Sequence, residues 1–65
     1  MQVTINGEAR ELEAAHVAAL VATLGLDARK VAVERNLEIV PRSLYADTPV
    51  AEGDRIEIVH FIGGG

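Results

Sequence analysis

The run Gly63-Gly64-Gly65 carries the most distinctive chemistry that the sequence offers. Three residues without a Cβ atom cannot pack into a core, and ordering them costs more backbone entropy than ordering other residues. They form either a frayed end or a slender probe that enters a narrow channel in another protein. The reactive group of such a probe is the α-carboxylate of Gly65, which is ionised at neutral pH because its ordinary pKa is about 3.3 to 3.7.

An ionised carboxylate can attack the α-phosphate of ATP, but the carboxylate itself is not readily attacked by a nucleophile. Adenylation removes that obstacle, and a sulfur donor that displaces AMP leaves a thiocarboxylate. We therefore predict that Gly65 is the site of adenylation and thiocarboxylate formation. Gly63 and Gly64 would thread into the active sites of partner enzymes.

The rest of the sequence offers little catalytic chemistry. The chain contains no cysteine, Ser43 is its only serine, and neither His16 nor His60 belongs to a metal-ligand spacing. His60 could assist proton transfer near the chain end, but a histidine without a role is the simpler interpretation for both. No catalytic residue, metal ligand or bound cofactor is predicted, and the chain is not expected to be an enzyme.

Composition points to protein partners. The 65 residues carry a net charge of -4 and include only two aromatic residues, which disfavours binding to nucleic acid or to anionic membranes. The longest apolar stretch, residues 14–26, is too short to span a membrane. No signal peptide opens the chain, so we expect a cytoplasmic location. Nothing in the sequence indicates an obligate homodimer, and we expect the free chain to be a monomer. The ten carboxylates are expected to form a solvated surface. Arg35 and Arg42 are either ordinary surface residues or contacts for an acidic partner.

The elements that position the glycine run begin with a hairpin. Apolar residues alternate with polar ones from Met1 to Ile5, the pattern of a half-buried strand. Asn6-Gly7 favours a tight turn with positive φ at both residues, and residues 8–13 can return as the antiparallel partner.

One helix follows. Val17, Leu20, Val21 and Leu24 form an apolar stripe, and Gly25 stands where a left-handed residue would end the helix. The N-terminus is expected to be weakly capped, because no Ser, Thr, Asp or Asn stands directly before it.

The second half contains a shorter hairpin and a final strand. Val31 and Val33 begin the hairpin, Asn36-Leu37 forms its turn, and Pro41 stops its second strand. Residues 43–49 are predicted to be a connecting loop with one helical turn. Residues 55–62 form the last strand, in which Ile56 and Ile58 share one face and Glu57, Val59 and Phe61 share the other.

The predicted order is hairpin, helix, short hairpin and strand. A single helix covers one face of a sheet, and a right-handed crossover that contains it places the first and last strands side by side in parallel. These features predict an α+β fold of the ubiquitin-like β-grasp type, with a mixed sheet of about five strands and one main helix on one face. Residues 1–62 would form the domain, and residues 63–65 a flexible tail.

Over almost its whole length, the sequence resembles the sulfur carrier proteins of bacterial thiamine biosynthesis. The similarity is carried by residues 3–8 (VTINGE), 31–36 (VAVERN), 39–43 (IVPRS) and 53–65 (GDRIEIVHFIGGG). Leu37 departs from the pattern, since such carriers often have Gly there, and this leaves the type of the second turn open.

The resemblance implies a set of partners. A ubiquitin-activating-like enzyme would adenylate Gly65 with ATP and Mg²⁺, a cysteine desulfurase pathway would supply the sulfur, and thiazole synthase would receive it. By the same analogy Val59, Phe61, Ile62 and Arg42 are candidates for a partner-docking surface.

Three other functions remain in view. The small subunit of molybdopterin synthase resembles this chain in fold, tail and activation chemistry, and a ubiquitin-like protein modifier would use Gly65 to form an amide with a lysine. A phosphopantetheine carrier is disfavoured, because Ser43 follows a proline among strands instead of opening a helix.

Overall fold

The computed structural model describes residues 1–61 and contains one mixed sheet of five strands. Its spatial order is β2-β1-β5-β3-β4, in which β1 and β5 run parallel and the other neighbours run antiparallel. The ubiquitin-like β-grasp arrangement predicted from the sequence is confirmed. The elements in chain order are β1 (Gln2–Ile5), β2 (Glu8–Glu11), α1 (Val17–Thr23), a 3-10 helix (Ala28–Lys30), β3 (Val31–Arg35), β4 (Glu38–Val40), a second 3-10 helix (Arg42–Asp47) and β5 (Arg55–His60).

The core lies between α1 and one face of the sheet, as the pattern of apolar residues predicts. Leu20 of the helix and Ile56 of β5 are completely buried, whereas Ile58 is half-buried. Tyr45, in the second 3-10 helix, is also buried, and its hydroxyl donates to the Val31 carbonyl oxygen at 3.0 Å. The predicted helical turn in the loop after Pro41 is therefore present and is anchored to β3. No helix within residues 1–61 is long and apolar enough to cross a membrane.

The ends of α1 confirm one prediction and correct another. Gly25 has φ +77°, as expected for the residue that terminates the helix. The prediction of a weak N-terminus is wrong, because the Nδ1 atom of His16 accepts a hydrogen bond from the Ala19 N–H at 3.1 Å. A histidine side chain thus satisfies one of the amides that a helix start leaves without a partner. The sequence interpretation gave this residue no role.

The first hairpin turns at Asn6 and Gly7, whose φ values of 51° and 81° match the prediction. Strand β2 ends at Glu11, two residues earlier than predicted. Glu11 pairs with Gln2, the first residue of β1, and beyond that pair the Leu12 N–H still donates to the Met1 carbonyl oxygen at 3.0 Å.

The turn of the second hairpin also has positive φ at both residues, but its second residue is Leu37 where the first turn has Gly7. Asn36 and Leu37 have φ values of 51° and 72°, which resolves the turn type that the sequence left open. Only glycine adopts such a conformation at no steric cost, and for other residues the cost is roughly 1–2 kcal/mol. The Leu37 side chain is 76 % exposed, so burial offsets little of that cost.

We expect Leu37→Gly to stabilise the protein by about 0.5 kcal/mol, because relief of the left-handed strain exceeds the added entropy of glycine in the unfolded chain. Chemical denaturation monitored by circular dichroism measures the difference. Leu37→Ala is the matched control: it removes the side chain but keeps a Cβ atom, and it should change stability little. Destabilisation by the glycine variant would show that Leu37 makes a contact that outweighs the strain.

Candidate functional site

Strand β5 carries the chain towards the predicted sulfur site and lies at the centre of the sheet, between β1 and β3. Beyond the strand, the Phe61 N–H still donates to the Lys30 carbonyl oxygen at 2.8 Å. The predicted site residues Gly63, Gly64 and Gly65, and the docking candidate Ile62, lie outside the described residues. The described part of the chain therefore shows which hydrogen bonds hold β5, the strand that leads to the glycine run.

The side chain of Asn6 holds the second half of β5. Strand β1 ends at Ile5, but the Asn6 side chain continues its hydrogen bonding along β5. Its Oδ1 atom accepts from the Ile58 N–H at 2.7 Å, and its Nδ2 atom donates to the Ile58 carbonyl oxygen at 3.1 Å. The side-chain amide of Asn6 thus makes the two hydrogen bonds to β5 that the backbone of one further strand residue would make.

Asn36, in the other hairpin turn, holds the start of β5 in a similar way. Its Oδ1 atom accepts from the Arg55 N–H at 2.9 Å, and its own N–H donates to the Arg55 carbonyl oxygen at 2.8 Å. Its Nδ2 atom donates to a carboxylate oxygen of Asp54 at 3.1 Å. Both turns that reverse the chain with a left-handed asparagine therefore also fasten β5.

Asp54 is the buried ionised group of this arrangement, with 6 % of the residue exposed. Besides Asn36, it accepts from the Arg35 Nε atom and from the Ala51 N–H, both at 2.8 Å. Burial by itself would raise the pKa of Asp54. The three hydrogen bonds and the Arg35 charge together outweigh burial and hold the pKa below its usual value.

These contacts correct two predictions from the sequence. The carboxylates do not all belong to a solvated surface, since Asp54 is buried, and Arg35 is the ion-pair partner of that buried carboxylate. The sequence contained one indication of these contacts, namely two asparagines at turns whose backbone requires positive φ. Asparagine tolerates that conformation and also bonds to nearby backbone, but only the tertiary structure shows that both side chains reach β5.

The docking candidates do not all lie together. Val59 lies on the face of the sheet that α1 leaves uncovered and is 62 % exposed, and Phe61, directly after β5, is 48 % exposed. Arg42 begins the second 3-10 helix after edge strand β4, and β3 separates that strand from β5. The structure instead adds Ala32, which pairs with Val59, and Ile39, which is 69 % exposed on β4.

His60 pairs with Val31 and therefore lies on the opposite face from Val59. It lines a groove of about 340 Å³ together with Asn6, Arg10 and several apolar side chains. Within residues 1–61, no three His, Asp or Glu side chains cluster closely enough to hold a metal ion.

Comparison with known proteins assigns the family. The model of the ThiS family matches residues 3–65, which is nearly the whole chain and includes the glycine run. The chain belongs to the ThiS family. The sulfur carrier protein ThiS of Bacillus subtilis is 46 % identical over 46 residues, which cover 71 % of this chain and 70 % of that protein.

The fold agrees with a solved ThiS structure. The crystal structure of the thiamine biosynthesis protein ThiS from Geobacter metallireducens superposes with a TM-score of 0.84 at 35 % identity, and the match covers all of both chains. The resemblance to ThiS-type carriers inferred from the sequence is thus confirmed.

Longer relatives contain a similar segment. A thiazole synthase of Paramagnetospirillum magneticum is 61 % identical to this chain over 66 residues, which cover the whole chain but 20 % of that protein. A thiazole synthase of Magnetococcus marinus matches at 46 % identity with the same coverage. The ThiS-family chain therefore spans about one fifth of the length of these relatives.

Proposed function

We propose that the chain is a sulfur carrier for thiamine biosynthesis and that Gly65 carries the sulfur. The observation that carries the proposal is the ThiS-family match, which continues through the glycine run to residue 65. The named relatives also favour the thiamine pathway over molybdopterin synthesis and over a role as a protein modifier. In this role the chain is a co-substrate of enzymes and does not itself catalyse a reaction.

The chemistry at Gly65 takes two steps. A carboxylate oxygen attacks the α-phosphorus of ATP, the bond to pyrophosphate breaks, and an acyl adenylate forms. Sulfide delivered from a cysteine desulfurase pathway then attacks the carbonyl carbon, a C–S bond forms, and AMP leaves with its oxygen. The product is a thiocarboxylate that a thiazole synthase consumes. ATP and Mg²⁺ would be bound by the activating enzyme, and we propose that these steps take place in the cytoplasm.

The described structure supports this role by holding the segment before the glycine run. Strand β5 is hydrogen-bonded on both sides, and the side chains of Asn6 and Asn36 fasten it at two points. Because β5 is held in this way, Phe61, the last described residue, has a fixed position, which lowers the entropy cost of binding a partner there. We propose that Val59 and Phe61, with Ile62, dock the partner enzymes at this end of β5. Arg42 would contribute only if a partner extends across β3 and β4.

Intact-mass spectrometry tests the proposal. Protein incubated with the activating enzyme of the same organism, ATP and a sulfide source should gain the mass difference between sulfur and oxygen. Fragmentation should place that gain on Gly65, and omission of ATP should prevent it. Repeated absence of the gain with proven active partners, or its location on another residue, would contradict the proposal.

A further inference from the structure

Two glutamates lie directly opposite each other on the uncovered face of the sheet. The register pairs Glu57 of β5 directly with Glu34 of β3, and Glu34 pairs in turn with Ile39 of β4. In the next row of the sheet, Val59 pairs with Ala32. The acidic pair therefore lies between an exposed isoleucine and the apolar end of β5.

Neither carboxylate forms an ion pair within residues 1–61. Arg55 precedes Glu57 by two residues on the same face, yet no ion pair of the described chain includes Glu34 or Glu57. Like charges directly opposite each other on neighbouring strands destabilise a sheet. We therefore expect this pair to lower the stability of the folded domain.

We propose that this face docks on thiazole synthase and that the Glu34–Glu57 pair receives a lysine or arginine of that enzyme between two apolar contacts. The inference rests on the proposed function. Thiazole synthase is the chosen partner because thiazole synthases of two organisms contain a segment similar to this chain, so the two parts are brought together in one polypeptide. The two negative charges favour contact with a basic side chain of the enzyme, and Ile39 and Val59 supply apolar contacts on either side.

The inference predicts opposite effects on stability and on binding. Glu34→Gln and Glu57→Gln should each raise the midpoint of thermal unfolding by about 2 °C, because the repulsion is removed. Each should weaken the binding of the sulfur-loaded carrier to thiazole synthase of the same organism by about tenfold and reduce the salt dependence of binding. Titration calorimetry at two salt concentrations measures both binding properties.

Glu8→Gln is the matched control, since Glu8 pairs with Ile5 on the other face of the sheet and its loss changes the net charge equally. It should leave the affinity nearly unchanged. Equal affinity of wild type and both glutamine variants would overturn the inference, as would a weakening seen only with the activating enzyme or only in self-association of the carrier. Failure of the wild-type protein to acquire sulfur would instead overturn the proposed function.

Discussion

A single alanine added after Gly65 should lower the rate of sulfur loading at least about 100-fold, since even a displacement of about 1 Å in a reacting group can cost that factor. The addition converts the Gly65 carboxylate into a peptide carbonyl, which cannot attack ATP. The new carboxylate lies about 3.5 Å further along the chain and is attached to a residue with a Cβ atom. Initial rates of thiocarboxylate formation, followed by intact mass, measure the loss.

The same variant should unfold at the wild-type temperature. Within residues 1–61, all the buried apolar side chains lie between Val3 and Ile56, well before the added residue. A carboxypeptidase that removes alanine but stops at glycine should restore loading. Undiminished loading of the extended protein would show that the carboxylate of Gly65 is not the reacting group, and a lowered unfolding temperature would show that the added residue disturbs the fold.

Replacement of Asp54 by alanine is expected to cost about 2–4 kcal/mol of stability, which corresponds to a fall of roughly 10–20 °C in the unfolding midpoint for a domain of this size. The variant leaves Arg35 and the amides of Asn36 and Ala51 without their common acceptor. Denaturant titration followed by circular dichroism measures the cost. Asp47→Ala removes an exposed carboxylate instead and should stay within about 0.5 kcal/mol of wild type.

The same carboxylate makes the stability depend on pH. Folding holds the pKa of Asp54 below its ordinary value, so the folded protein binds fewer protons here than the unfolded chain does. Its contribution is complete above the unfolded pKa of about 3.9 and is lost as the pH falls below that value. Asp54→Asn should lack this component of the acid response while retaining the shape of the side chain. An unchanged acid response in that variant would contradict the assignment.

The sequence predicted the architecture because its signals are local and agree with one another. Alternation before Asn6, the apolar stripe of α1 and the last strand each specify one element, and a single helix allows only one covered face. The chemistry at Gly65 stays a prediction, because residues 62–65 lie outside the described part of the chain.

The sequence did not predict the fastening of β5, because that depends on residues far apart in the chain. Asn6 bonds to Ile58 and Asn36 to Arg55, and a turn propensity says nothing about such a partner. The burial of Asp54 and its three hydrogen-bond donors also exist only in the folded protein. The pairing of Glu34 with Glu57 likewise required the register of β3 against β5.

The central position of β5 also determines how the domain responds to tension. A partner that draws in the residues after Phe61 pulls along the axis of β5. Both neighbouring strands and the two asparagine side chains then oppose the pull together, because their hydrogen bonds must shear at once instead of parting one after another as at a sheet edge. We therefore expect the fold to stay intact when a partner pulls on the residues after Phe61.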